Sequence, residues 1–346
     1  MRAALYREFR QPLVVETVPD PQPANDGVVL EVMATGVCRS DWHGWMGHDA
    51  DITLPQVPGH ELAGVVVAAG KDVRKFRLGD RVTVPFVCAC GSCAQCDRGD
   101  QQVCDHQEQP GFTHWGSFAQ YVALRYADEN LVRLPDDFSF VHAASLGCRF
   151  ATAYRAVVAQ GRVGQGDWLA VHGVGGVGLA AVAVAAALGA RVIAVDPSPA
   201  ALRLAALLGA EHCLKVDDSC ADHIRELSDG GVRASIDADG DASVFSRSIR
   251  CLGKRGRHVQ VGLMTGSSRS PSVPADRIIA EELEIVGSHG LQAHAYPEML
   301  SLVAEQSIDL DAMLAPTLTL DEAADLLANE ELVLPPGVSV IDRFSA

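Results

Sequence analysis

The stretch that most constrains this chain is Cys88–Cys104, which reads CACGSCAQCDRGDQQVC. Cys90, Cys93, Cys96 and Cys104 follow the spacing C-x2-C-x2-C-x7-C. Thiolates this close together can complete a tetrahedron around one zinc ion, with Zn–S distances of about 2.3 Å. A disulfide-stapled loop is the alternative, but the rest of the chain has no disulfide-like pattern. A four-sulfur site leaves no coordination position open. Such a metal would hold a lobe in place and take no part in chemistry. Any chemistry must then come from cysteines and histidines elsewhere.

The 346 residues are enough for two domains, and 48% apolar content supplies a large core without disulfides. Lys plus Arg is 28 against 44 for Asp plus Glu, a net charge of −16. That excess argues against nucleic acid or an anionic membrane as partner. Ten cysteines grouped by ligand spacing suggest a reducing compartment, hence a cytoplasmic location. The N-terminal MRAALYREFRQPL has no apolar h-region, which argues against a signal peptide. The longest apolar run, Leu179–Leu188, falls well short of the ~20 residues that span a bilayer.

Taken in order, the chain starts β-rich. AALYRE and GVVLEVMATGV read as strands with the loop PDPQPANDG between them. Then comes GVCRSDWH. A lone cysteine is more often a buried apolar residue than a ligand. Cys38, however, is followed by Arg39, Ser40, Asp41 and His43, a dense polar group for a strand end. His60 and Glu61 stand in GHE at the mouth of the strand LAGVVVA, as a ligand with its neighbour or as a satisfied turn histidine. LGDRVTV, WGSFAQYVAL and NLVRLPDDF are further short strands. From about Phe140, VHAASLGCRFATAYRAVVA is apolar at helical spacing and carries Cys148.

The clearest local signal is GDWLAVHGVGGVGLAAVAVAAALGARVIAVD. It predicts a strand, a glycine turn, a helix and a second strand, with G-x-G-x-x-G at Gly173, Gly175 and Gly178 around Gly176 and Val177. Asp196 ends the second strand, where a carboxylate can meet an adenosine ribose. The glycines allow a pyrophosphate to approach the positive helix N-terminus, so a dinucleotide is the expected cofactor. Alternation of helix and strand then continues to LEIVGSHG, which implies a doubly wound parallel sheet. Val261, Gly262 and Leu263 fall at a strand's carboxyl end, where such sheets place their ligand. The tail holds two helical stretches, around Pro297–Ala304 and Leu320–Ala328. Its closing strand, VSVIDRF, should return to the first domain. The expected fold class is α/β, with a β-rich domain over 1–150 and 290–346 and a Rossmann domain over 151–289.

Cys38, His60 and Cys148 could form a Cys2His site with one position open, the form of a catalytic zinc. Spacing alone does not assemble them. Together with GHELAGVVVAAGKDV, the four-cysteine lobe, GVCRSDWH, LGCRFATAY, GVGGVG and Asp196, the chain resembles the zinc-dependent alcohol dehydrogenases of the medium-chain dehydrogenase/reductase superfamily over nearly its whole length. The resemblance implies a GroES-like catalytic domain, NAD as cofactor and two zinc ions per chain. Cys38, His60 and Cys148 would hold the catalytic zinc, with Glu61 able to approach it during ligand exchange. Asp41 would fix the tautomer of His60. Ser40 and His43 would relay the alcohol proton through the cofactor ribose. Arg39 would contact the pyrophosphate, Thr152 would pack on the nicotinamide, and Phe86 would line the substrate pocket.

There are departures. Cys88 has no counterpart role, Ala201 stands where relatives carry a lysine, and Val338 where they carry an arginine near the C-terminus. His172, His48 and His114 read as structural or solvated, with His48 and Trp115 the residues expected to touch substrate. The resemblance implies a small-molecule alcohol, aldehyde or ketone as substrate and a homotetramer, with a homodimer as the alternative. Two other readings compete. A polyol dehydrogenase is disfavoured by Cys148, because that group often uses a carboxylate as third ligand. A zinc-stabilised, nucleotide-binding structural protein should have eroded ligands, and Cys38, His60 and Cys148 are all present.

Overall fold

The computed structural model describes residues 1–332 and 334–345. The chain divides into two compact units. The first comprises Met1–Cys148, Gly290–Glu298 and Leu314–Ala346, and the second Arg149–His289 and Met299–Met313. The tail therefore does not belong whole to the β-rich unit, as the sequence suggests. Its 3-10 turn Asp311–Met313 packs on the helices Gly176–Ala187 and Pro199–Leu207, which draws Met299–Met313 into the second unit.

The first unit opens with a hairpin of β1 (Arg2–Leu5) and β2 (Val14–Thr17). Its main sheet is built on β3 (Val28–Val37), buried over most of its length, and β4 (Glu61–Ala69). These two pair antiparallel, with Gly36 opposite Glu61. β5 (Arg81–Thr83), β6 (Tyr121–Leu124) and β7 (Val132–Arg133) extend the sheet. Each is shorter than the apolar run that announced it. Helix α1 (Arg39–Trp45) follows β3 directly.

The second unit is a parallel sheet in the order β10-β9-β8-β11-β12-β13. Its strands are β8 (Trp168–His172), β9 (Arg191–Asp196), β10 (His212–Lys215), β11 (Val232–Asp237), β12 (Leu252–Gln260) and β13 (Glu284–Gly287). The central strands β8, β9 and β11 are buried over most of their length, as strands covered on both faces are. Order reverses between β8 and β11, the switch point at which such sheets take ligands beyond their carboxyl ends. The helix Gly176–Ala187 is apolar all round and buried from Gly178 to Ala185, as a helix without a polar face must be. Back in the first unit, β14 (Leu318–Thr319) pairs β15 (Ser339–Arg343), and β15 joins β3, as the closing strand was expected to.

The predicted helix after Phe140 runs over 140–160, but two of its segments, Leu146–Phe150 and Ala156–Gln160, are π-helical. Cys148 lies in the first of them. Wide π turns recur at functional sites because they re-aim side chains off the regular helical face. Among the described residues, no helix is long and apolar enough to cross a membrane.

Candidate active site

Cys38 stands where β3 ends and α1 begins. Its backbone N–H donates to Asp41 Oδ2 at 2.9 Å, so Asp41 closes the first turn of α1 as a capping-box carboxylate. Asp41 Oδ1 accepts from Gly59 N–H at 2.9 Å and from His60 Nδ1, also at 2.9 Å. A carboxylate can only accept, so Nδ1 carries the hydrogen. Burial opposes charge on the ring, but Asp41 and then Cys38 hold its pKa well above the usual 6.5, so Nε2 offers its lone pair when a metal displaces the second proton. Nε2 is buried and has no hydrogen-bond partner among the described residues. A buried imidazole nitrogen is rarely left so unless something absent completes it.

What surrounds that lone pair is a donor set. Ligand atoms of Cys38, His60, Glu61 and Cys148 all lie within 4.8 Å of one another. The Gly36–Glu61 register brings the end of β3 to the start of β4, and the π segment supplies Cys148. Gly147 lets that segment come close: a Cβ there would stand 2.9 Å from Glu61 Cα. Two sulfurs, one imidazole and one carboxylate suit zinc. Phe86 and Phe112 set their rings edge-on to His60, with centroids 6.2 and 5.3 Å away. Phe112 belongs to the loop Phe112–Trp115, which the sequence reading expects to shape the pocket. Trp115, from the same turn, donates its indole N–H to Pro55 O and lines a separate cavity of about 410 Å³ under Tyr121–Arg125. None of the four clustered residues lines that cavity.

On α1, Arg39 is exposed, while Ser40 and His43 are half-buried. His43 Nδ1 lies 3.0 Å from His48 Nδ1, with the Trp42 ring against both imidazoles. Burial, then the neighbouring His48 and Arg39, holds His43 below the usual 6.5. It is therefore neutral at physiological pH and able to accept a proton. His114 hydrogen-bonds the Trp115 carbonyl through Nδ1.

In the lobe, Sγ separations are 3.5 Å for Cys93–Cys96, 3.7 Å for Cys93–Cys104 and 3.5 Å for Cys90–Cys104. A disulfide needs about 2.05 Å, which excludes the stapled-loop alternative. A tetrahedron with Zn–S near 2.3 Å has edges of about 3.8 Å, close to what is seen. Backbone N–H groups of Cys96 and Asp105 lower the Cys93 thiol to about 6. Burial and the neighbouring sulfurs raise Cys96 to about 12. The cluster resists full ionisation until a cation enters it. Cys88 lies outside this set, with its thiol pushed up by burial and hydrogen-bonded only weakly, to Pro85 O at 3.7 Å.

In the second unit, Gly173 takes φ +80 at the end of β8, and a Cβ on Gly178 would sit 1.9 Å from Gly173 O. A Cβ on Gly175 would meet nothing within 4 Å, which leaves an open cradle at the N-terminus of the helix begun by Gly176 and Val177. Arg149, which sequence reasoning overlooked, lies over Gly176, where a Cβ would come 2.5 Å from its Cδ. Asp196 is engaged on both oxygens: it accepts from Val174 N–H at 2.8 Å and Ser198 N–H at 2.7 Å. It thereby ties the glycine turn to the end of β9. Val261 and Gly262 donate to Asp237 O beyond β12, and Leu263 is exposed. Thr152 is buried, and its hydroxyl has no partner among the described residues. At the carboxyl ends of β8 and β9 lies a cavity of about 240 Å³, lined by His172, Gly173, Pro197, Asp239, Asp241 and Arg247 among others.

Comparison with known proteins follows this division. The alcohol dehydrogenase GroES-like domain matches residues 24–136, and the zinc-binding dehydrogenase domain matches 176–305. An alcohol dehydrogenase from Geobacillus stearothermophilus is 31% identical over 96% of this chain and 97% of its own length. A sorbitol dehydrogenase from Halalkalibacterium halodurans is 31% identical over 89% of both. A protein assigned as a zinc-binding dehydrogenase from Sinorhizobium meliloti 1021, crystallised bound to NADP, superposes with TM-score 0.88 at 28% identity, covering 99% of this chain and 98% of that one. Two family domains in sequence, and a relative matched almost end to end, establish the chain as a member of the zinc-dependent alcohol dehydrogenase family of the medium-chain dehydrogenase/reductase superfamily, an oxidoreductase.

Proposed function

We propose that the chain is an NAD-dependent alcohol dehydrogenase that holds two zinc ions and interconverts a primary or secondary alcohol with its aldehyde or ketone. The observation that carries this reading is the donor set of Cys38, His60 and Cys148 around the unpartnered Nε2, with Glu61 beside it. Zinc held there would supply Lewis acidity: an oxygen acid that ionises near ~15.7 in water comes down toward ~7, on the order of 12 kcal/mol at 1.36 kcal/mol per unit.

The chain's own residues do the rest. Asp41 keeps the hydrogen on His60 Nδ1 and so keeps Nε2 a ligand. Phe86 and Phe112 exclude water from one side. Ser40 and His43 carry the substrate proton outward. The Gly173–Gly178 turn, including Gly175, Gly176 and Val177, receives the pyrophosphate, and the exposed Arg39 is a cation available to the cofactor. Thr152, Val261, Gly262 and Leu263 hold the nicotinamide half. A positioned base contributes ~10²–10⁴ in rate, so the relay is secondary to the metal.

His43→Gln is expected to lower alcohol oxidation within that ~10²–10⁴ range. The deficit should be largest just above the depressed pKa of His43, where the imidazole is neutral and hydroxide scarce. It should shrink toward alkaline pH. A kcat profile with no such pH dependence would remove His43 from the relay.

Cofactor choice rests on Asp196. The 2′-phosphate of NADP would face this carboxylate, and like charges ~4 Å apart at an effective dielectric of ~20 repel by about 4 kcal/mol, less at an exposed edge. We expect NAD to be preferred at least about tenfold, equivalent to ~1.4 kcal/mol. Arg247, in the cavity beside Pro197, offers a cation that sequence reasoning did not find there. Asp196→Ala should narrow the preference mainly by weakening NAD, because it also frees Val174 N–H and Ser198 N–H from their acceptor. Equal kcat/KM with NAD and NADP in the parent would refute the assignment.

A polyol substrate is the second reading, favoured by the sorbitol dehydrogenase relative and by the presence of Glu61 in the donor set. NADH formation across simple alcohols and polyols, with zinc counted by mass spectrometry, tests both readings together. The enzyme is taken to be cytoplasmic and homotetrameric, with a homodimer as the alternative, to be settled by light scattering.

A further inference from the structure

The segment Gly290–Glu298 belongs to the first unit and contacts residues beside both of its sulfur clusters. Gly290 lies against Phe86, with a Cβ there falling 3.0 Å from the ring. Two residues on, Gln292 Nε2 donates to Gly99 O at 3.2 Å, inside the four-cysteine lobe. The His294 ring also approaches Gly99. Tyr296 is 1% exposed and donates its hydroxyl to Gly147 O at 3.1 Å. Gly147 immediately precedes Cys148 and packs on the backbone of Glu61. Leu291 and Ala293 are buried and fix the segment between these contacts.

We propose that Gly290–Glu298 is a strap coupling the lobe to the catalytic donor set, with Tyr296 as the positioning residue for Cys148. This rests on the reading of both clusters as metal sites. A π turn loosens the regular i→i−4 ladder, so the place of Cys148 is set by what holds the turn from outside. Glu61 holds it on one side through the close contact at Gly147. The Tyr296 hydroxyl holds it on the other, and the far end of the strap is anchored by Gln292 on the lobe. The lobe then does more than stabilise itself: it fixes the register of the segment that aims a ligand. Hydrogen-bond partners standing behind metal ligands commonly govern affinity by ~10–100-fold.

The test uses the full-length protein with cobalt(II) in place of zinc, because visible bands report the coordination of a Cys2His site directly. Tyr296→Phe removes one hydroxyl and keeps the ring. It is expected to weaken retention of the catalytic ion against a chelator by about 10–100-fold and to shift the visible bands, while the lobe ion stays. Gln292→Ala cuts the opposite end without disturbing the buried ring, and should produce the same effect in smaller degree. It carries the test if Tyr296→Phe does not fold. Unchanged bands and unchanged retention in the folded variants, with only a lower Tm, would overturn the strap and leave Tyr296 a packing residue. A parent protein that binds no cobalt at the Cys38–His60–Cys148 set would overturn the metal reading itself, and the strap with it.

Discussion

Cys38→Ser is expected to leave a folded protein, with about one zinc per chain, that has lost alcohol oxidation by more than the ~10⁴-fold a misplaced general base could explain. The fold should survive because the Cys38 backbone N–H still donates to the Asp41 carboxylate, and a serine hydroxyl can take the other arm of the capping box. The chemistry should not survive, because the donor set is reduced to Cys148, His60 and Glu61 and loses a thiolate that a hydroxyl does not replace at neutral pH. Metal analysis, circular dichroism and kcat/KM on one preparation check this. Full metal content with preserved activity would sink the assignment of Cys38.

Cys93→Ser is expected to fail in the opposite way. Structural zinc contributes apparent free energies of ~10–16 kcal/mol in zinc-finger peptides, comparable to the ~5–15 kcal/mol stability of a whole domain. Cys93 has two close sulfur neighbours, Cys96 and Cys104, so its loss should open the lobe. Unfolding should stop at its base, with the Gln292 end of the strap released from Gly99 as the one consequence beyond it. There Asn130 clamps Ala89 by two hydrogen bonds, of 2.7 and 2.9 Å, and Cys88 pairs with Glu108 through the backbone. Limited proteolysis should therefore cut between Cys90 and Cys104 and spare the Rossmann-type unit. Uniform cleavage throughout the chain, or a variant as resistant as the parent, would contradict a local zinc-held lobe.

These two cysteines also mark how far the sequence could be read. The lobe is local, so spacing alone announces it, and the glycine turn is local in the same sense. Cys38, His60 and Cys148 come together only because β3 and β4 pair in register and a π turn brings the third ligand back. No periodicity records that, and only the resemblance to a known family joined them. Tyr296, Arg149 and Arg247 were missed for the same reason: each reaches its site through tertiary packing. Two elements were missed for want of a pattern. β2 is a half-exposed hairpin strand, and the helix Ala275–Glu281 has no buried residue, with Ile279 81% exposed.

The Asp41 carboxylate accepts on both oxygens, from Cys38 N–H on one and from Gly59 N–H and His60 Nδ1 on the other. Asparagine has the same shape but only one accepting end. Whichever way its amide turned, an NH2 group would face an N–H donor. With the NH2 toward His60, the imidazole could relieve the clash only by moving its hydrogen to Nε2, onto the face that must stay bare for a metal. With the NH2 toward Cys38, the first turn of α1 would lose its cap. Size and shape, which govern most buried positions, are thus irrelevant here: the direction in which hydrogens point is what makes this carboxylate irreplaceable by its own amide.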